Sequence, residues 1–82
     1  ARTPTLPLPT PERWDALTDR QRLIASMAAY GLTTREIAVR LSRAEDTIAN
    51  TLRTATATLG ITRRPVLVRY CVTLGVVWRP QV

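Results

Sequence analysis

The sequence predicts an all-α fold: a small four-helix domain that follows an extended, proline-rich N-terminal arm. Three observations predict it. Apolar residues recur at helical spacing in four successive stretches of the 82-residue chain, and three of those stretches stop at a glycine, at Gly31, Gly60 and Gly75. Two of them open on a capping box, Thr18 with Gln21 and Thr33 with Glu36. Lastly, an apolar fraction of 45% without any phenylalanine leaves aliphatic residues and alanine to fill the core, which favours close-packed helices over an aromatic-rich sheet.

The elements follow in order. Residues 1–16 carry Pro4, Pro7, Pro9 and Pro11, which fix backbone torsions and remove donors, so this stretch is expected as an arm outside the core, anchored by Trp14 and Leu17 at its end. A disordered leader and a strand that docks on a partner are both open for it. The first helix runs from Leu17 to Tyr30, with Leu23, Ile24, Met27 and Ala28 on one side and Asp19 beside its positive end. The second is about two turns long and turns Ile37, Ala38 and Leu41 inward. In the third, Ile48, Leu52, Ala55 and Leu59 fall on one side of an amphipathic rod. A fourth starts near Thr62 to Pro65, since proline is tolerated in a first helical turn, and ends at Leu74.

The fourth helix has two apolar stripes. Leu67, Tyr70, Cys71 and Leu74 suffice for the core, which leaves Val68 and Val72 either as a surface for a second chain or as ordinary exposed valines.

Composition narrows the function. Histidine is absent and Cys71 is the only cysteine, so a nitrogen/sulfur metal site, an intramolecular disulfide and most nucleophilic or acid–base chemistry lack their residues; no enzyme activity, cofactor or metal is expected. No apolar run reaches membrane-spanning length and no apolar signal core occurs, so a soluble, cytoplasmic protein is expected. The formal net charge is +6 and every basic residue is arginine, which suits a polyanionic partner because the guanidinium fork binds phosphate through two parallel hydrogen bonds; coding bias accounts for all-arginine usage equally well. No signal-receiving region is expected in the chain, so a freestanding domain and a signal delivered by another chain are both open.

Two helices joined by a three- or four-residue turn, the second amphipathic and flanked by arginines, have the bare geometry of a helix-turn-helix. The residues sharpen this. Leu17, Thr18, Arg20 and Arg22 are followed without gaps by Gly31, Leu32, Glu36, Ile37, Ala38, Arg40 and Leu41. Thr47, Asn50 and Leu52 come next, then Leu59, Gly60, Ile61, Arg64, Leu67, Val68, Arg69, Tyr70 and Gly75. In their order and spacing, residues 17–77 resemble the LuxR/GerE family of helix-turn-helix domains, leaving residues 1–16 as the arm and 78–82 as a tail. A sigma-factor region-four module shares the helix-turn-helix pattern, but the fourth helix fits that module less well.

The resemblance implies a DNA-binding transcriptional regulator. The third helix would enter the major groove of double-stranded DNA, the second would lie across the backbone, and the fourth would pair two subunits. With Ile48, Leu52, Ala55 and Leu59 inward, a rotation of roughly 100° per residue points Asp46, Asn50, Arg53, Thr54 and Ala57 outward. Asn50 then suits adenine and Arg53 guanine, with Thr47 and Thr51 at the flanks for phosphate; a solvated helix residue is the other reading of Asn50. Thr34 and Arg35 at the start of the second helix, Arg43 in the turn, and Arg63 and Arg64 before the fourth complete the candidate DNA-binding set. Val68, Val72, Val76 and Trp78 form the candidate dimer or partner interface.

Several residues depart from the family pattern. Ala49 and Thr51 stand where a lysine and a histidine are common, and Ala57 and Thr58 where further basic residues are frequent. Residues 45–58 hold Arg53 against Glu45 and Asp46, a net negative recognition helix and a poor electrostatic footprint for DNA. The positive charge lies instead in residues 60–82, where Arg63, Arg64, Arg69 and Arg79 face no acid; they either clamp phosphates from the side or keep an apolar C-terminus soluble. In the turn, Ser42 replaces a usual glycine, Arg43 an aliphatic residue and Ala44 a capping serine. Ser42 with Glu45 forms a substitute capping pair, which predicts that the third helix starts about two residues early. These departures keep a second function open: a protein-binding adaptor that docks on RNA polymerase or a larger regulator through the arm and the VVWRPQV tail, with little DNA binding of its own.

Overall fold

The computed structural model describes residues 11–80. Its helices are α1 (Pro11–Asp15), α2 (Asp19–Tyr30), α3 (Thr34–Leu41), α4 (Glu45–Leu59) and α5 (Arg64–Leu74), with no strand among the described residues. The four expected helices correspond to α2 through α5. The helix α1 is additional and falls in the stretch assigned to an extended arm, so the described residues hold five helices where four were expected; residues 1–10, the rest of that arm, lie outside the described residues.

A five-residue helix is not stable alone, so α1 owes its existence to its neighbours. Pro11 at its first position has a preset torsion and no N–H to leave unpaired, and Glu12 complements the positive helix end. Trp14 is then buried with its ring tilted against Tyr70 of α5, the centroids 6.3 Å apart. Arg13 donates to the carbonyl of Leu59 at 3.3 Å, placing a cation at the negative C-terminus of α4. Trp14 and Leu17 do anchor the entry to the domain, as expected.

Both capping boxes form. Thr18 accepts from the Gln21 amide while Gln21 accepts from the Thr18 amide, and Thr33 and Glu36 do the same at α3. Arg22 pairs with Asp19 one turn earlier and also donates to the Asp15 carbonyl, tying α2 to the end of α1.

The core lies between α2, α4 and α5. Ile24, Met27, Ile37, Ile48, Leu67 and Cys71 are fully buried, and Ala25, Ala28 and Ala55 let the helix axes approach closely. Leu23, placed on the inward side by spacing, is instead 37% exposed, because the buried run of α2 is centred on Ile24 to Ala29. Leu41, Leu52 and Leu74 are half-buried against the same cluster.

The turn before α4 departs from expectation. The third expected helix, α4, starts at Glu45 and not two residues earlier: Ala44 is its N-cap, with no side-chain cap bond, while Ser42 takes the left-handed conformation at φ 55° and closes α3. Ser42 and Arg43 donate their amides back to the carbonyls of Val39 and Ala38. Satisfying the end of α3 therefore takes precedence over capping the start of α4.

Gly60 ends α4 at φ 72°, with its amide and that of Ile61 donated to Ala57 and Thr56. Beyond α5 and Gly75 the chain folds back on the domain. Val76, Val77 and Trp78 pack half-buried against the core, and the Trp78 amide donates to the Ser26 carbonyl at 3.3 Å. The Trp78 ring meets Tyr30 edge-on at 5.4 Å and lies beneath the Arg40 guanidinium at 5.3 Å.

Candidate nucleic-acid interface

The helices α3 and α4, joined by Ser42, Arg43 and Ala44, form the helix-turn-helix. Burying Ile48, Ala55 and Leu59 fixes the rotation of α4, so Asp46, Asn50, Arg53, Thr54 and Ala57 are all exposed, as the spacing predicts. Thr47 is exposed and Thr51 half-buried at one flank.

Hydrogen bonds then set what this face offers a partner. Thr51 donates its hydroxyl to the Thr47 carbonyl at 2.8 Å, Thr54 to the Asn50 carbonyl at 3.0 Å and Thr58 to the Thr54 carbonyl at 3.1 Å. A threonine bound in this way keeps its acceptor lone pairs and its methyl group for whatever lies outside. Arg53 Nη1 donates to Asn50 Oδ1 at 3.3 Å. Glu45 and Asp46 in the first turn favour a helix start that has no side-chain cap, at the expense of repelling phosphate there.

A second cluster lies beside α4. An open groove of about 220 Å³ is lined by Thr34, Arg53, Arg63 and Arg64, with Leu52 and Leu67 among its apolar walls. The fold thus brings four of the predicted site residues together from three helices. Thr56 and Thr62 also line the groove, and the sequence reading missed both. The only available signal was the hydroxyl of Thr62 directly before two arginines at a helix start.

Not every predicted residue is equally available. Arg64 reaches across to donate to the Leu32 carbonyl at 3.0 Å, which fixes the start of α5 to the α2–α3 turn and leaves part of its guanidinium for a ligand. Arg35, Arg43 and Arg63 are exposed. At the start of α3 the capping box uses the Thr33 and Glu36 amides, so Thr34 and Arg35 carry the remaining orphan N–H groups. Glu36 is held below the usual carboxylate range, first by the Thr33 backbone bond and then by the Thr33 hydroxyl.

On α5, Val72 is exposed and Val68 half-buried. Val76 and Trp78, grouped with them as a candidate interface, are half-buried against the domain's own core, where the tail turns back at Gly75. Cys71 is fully buried, and desolvation pushes its thiol up to about 11, so it stays protonated as an apolar filler.

No helix among the described residues is long and apolar enough to cross a membrane. No curated protein and no solved structure matches the chain. The family model of bacterial regulatory proteins of the luxR family, GerE, matches residues 15–71, which takes in α2, α3 and α4 entire and most of α5. With the helix-turn-helix in place and well over half of its length matched, this chain belongs to the luxR family of bacterial regulatory proteins.

Proposed function

We propose that the chain binds double-stranded DNA and regulates transcription, with α4 in the major groove and α3 across the backbone. The observation that carries this reading is the exposed Asn50–Arg53 face of α4 beside a groove where Thr34, Arg53, Arg63 and Arg64 converge. Phosphate contacts fall to the Thr34 and Arg35 amides, Thr47, Thr51, Arg43, Arg63 and the free part of Arg64, and base contacts to Asn50, Arg53 and Thr54. Arginines brought from α5 supply the positive charge that α4 lacks. Exposed Val72, with Val68 beside it, supports pairing of two copies through α5.

The test is a binding selection on random duplexes at two salt concentrations, beside mass measurement in solution. Affinity falls steeply as salt rises, Arg63→Ala weakens all sequences alike and reduces the salt slope by about one, and Arg53→Ala costs about 1–3 kcal/mol at one base position. Salt-independent binding or an unchanged preference in Arg53→Ala overturns the assignment.

A second reading is favoured by the acidic first turn of α4: a protein-binding adaptor that docks on RNA polymerase or a larger regulator. Stoichiometric co-purification of a protein, with no retention on DNA, distinguishes it.

A further inference from the structure

We propose that Asn50 is a positioning residue for Arg53, so that the two side chains read one guanine as a unit and not an adenine and a guanine separately. The inference rests on the DNA-binding function proposed above and adds the base that its central residues recognise.

Arg53 Nη1 and Asn50 Oδ1 are joined across one turn of α4 at 3.3 Å, and both side chains are exposed. A bidentate adenine contact needs the asparagine oxygen to accept from N6 while its nitrogen donates to N7. Here the oxygen is turned to the guanidinium. What the pair presents outward is Asn50 Nδ2 and the remaining N–H groups of Arg53, all of them donors. The base edge that offers two neighbouring acceptors in the major groove is guanine, through O6 and N7.

The neighbouring residues sharpen the assignment. The hydroxyl protons of Thr51 and Thr54 are directed to backbone carbonyls, and Asp46, one turn earlier on the outward face, is an acceptor. Donors at the centre of this face therefore come from the Asn50–Arg53 pair. Holding the guanidinium before DNA arrives also lowers the rotamer entropy lost when Arg53 engages a base.

The test applies the duplex selection to the full chain, its Asn50→Ala, Asn50→Asp and Arg53→Ala variants, and the double alanine variant. All four replace exposed side chains, and circular dichroism melts check that the fold is kept. The wild type enriches a guanine that Arg53→Ala no longer selects, and Asn50→Ala weakens preference at that same guanine by about tenfold. The double variant loses no more than Arg53→Ala, because the residues act together. Asn50→Asp keeps an acceptor for Arg53 but loses the Nδ2 donor, so its preference for the guanine falls between those of the wild type and Asn50→Ala. An adenine position that vanishes in Asn50→Ala while the guanine stays untouched overturns the proposal, as does an Asn50→Asp variant that prefers the guanine no better than Asn50→Ala does. A wild type that enriches no sequence overturns the DNA-binding reading and this inference with it, a result told apart by the wild-type selection alone.

Discussion

At the residue scale, two positions with positive φ show opposite relations between side chain and backbone. Ser42 holds φ 55° and ψ 46°, a conformation in which its Cβ crowds the following carbonyl, and it is the one non-glycine residue with positive φ among those described. Ser42→Gly is expected to stabilise the domain by about 0.5–1 kcal/mol, the relief of strain outweighing the extra chain entropy of glycine; a urea titration measures it as a higher midpoint. Gly60, at φ 72°, behaves in reverse. A Cβ there lies 2.7 Å from Arg13 Nη1, so Gly60→Ala combines torsional strain with displacement of the guanidinium that caps Leu59. The same titration then shows a lower midpoint. The contrast follows from what each residue closes: Ser42 ends α3 where the family pattern has glycine, and Gly60 ends α4 where an added Cβ would push the Arg13 guanidinium off the Leu59 carbonyl.

At the element scale, the helix starts differ in how they are capped. Boxes at Thr18 and Thr33 are complete, and both were legible because a capping box involves four consecutive residues and little else. The start of α4 was misread for an instructive reason. Ser42 and Glu45 have capping-box spacing, but Ser42 is recruited by the C-terminus of α3, and Ala44 is left as a cap without a side-chain acceptor. Ala44 already has the extended torsions of an N-cap, φ −67° and ψ 143°. Ala44→Ser is therefore expected to gain about 1 kcal/mol without moving the helix start, read as a rise in thermal midpoint. A second misreading, the helical stretch α1, arose because four prolines dominate residues 1–16, while the burial of Trp14 against Tyr70 is a contact between residues far apart in the chain.

At the scale of the whole molecule, the tail works as a clasp. Trp78 joins the C-terminal segment to α2 through Tyr30 and the Ser26 carbonyl, and to α3 through Arg40. Its ring is half-buried, so Trp78→Ala is expected to cost about 2 kcal/mol, below the loss for a fully buried tryptophan, with the steepness of the denaturant transition unchanged. The candidate interface depends on the same scale. Arg63 and Arg64 lie ten or more residues beyond Arg53, yet all three line one groove with Thr34, and this convergence restores positive charge beside α4, which is acidic in its first turn.

What could be read from the chain in advance was whatever neighbours within a turn or two dictate: the extents of α2, α3 and α5, both capping boxes, the inward row of α4 and therefore its outward face. Periodicity and hydrogen bonding along a helix are local, so residue order suffices for them. The fate of Ser42, the helix before α2, the return of Trp78 and the meeting of Arg53 with Arg63 and Arg64 depended on contacts between distant segments. There, burial and competition for the same backbone groups select one arrangement from several that local spacing permits equally.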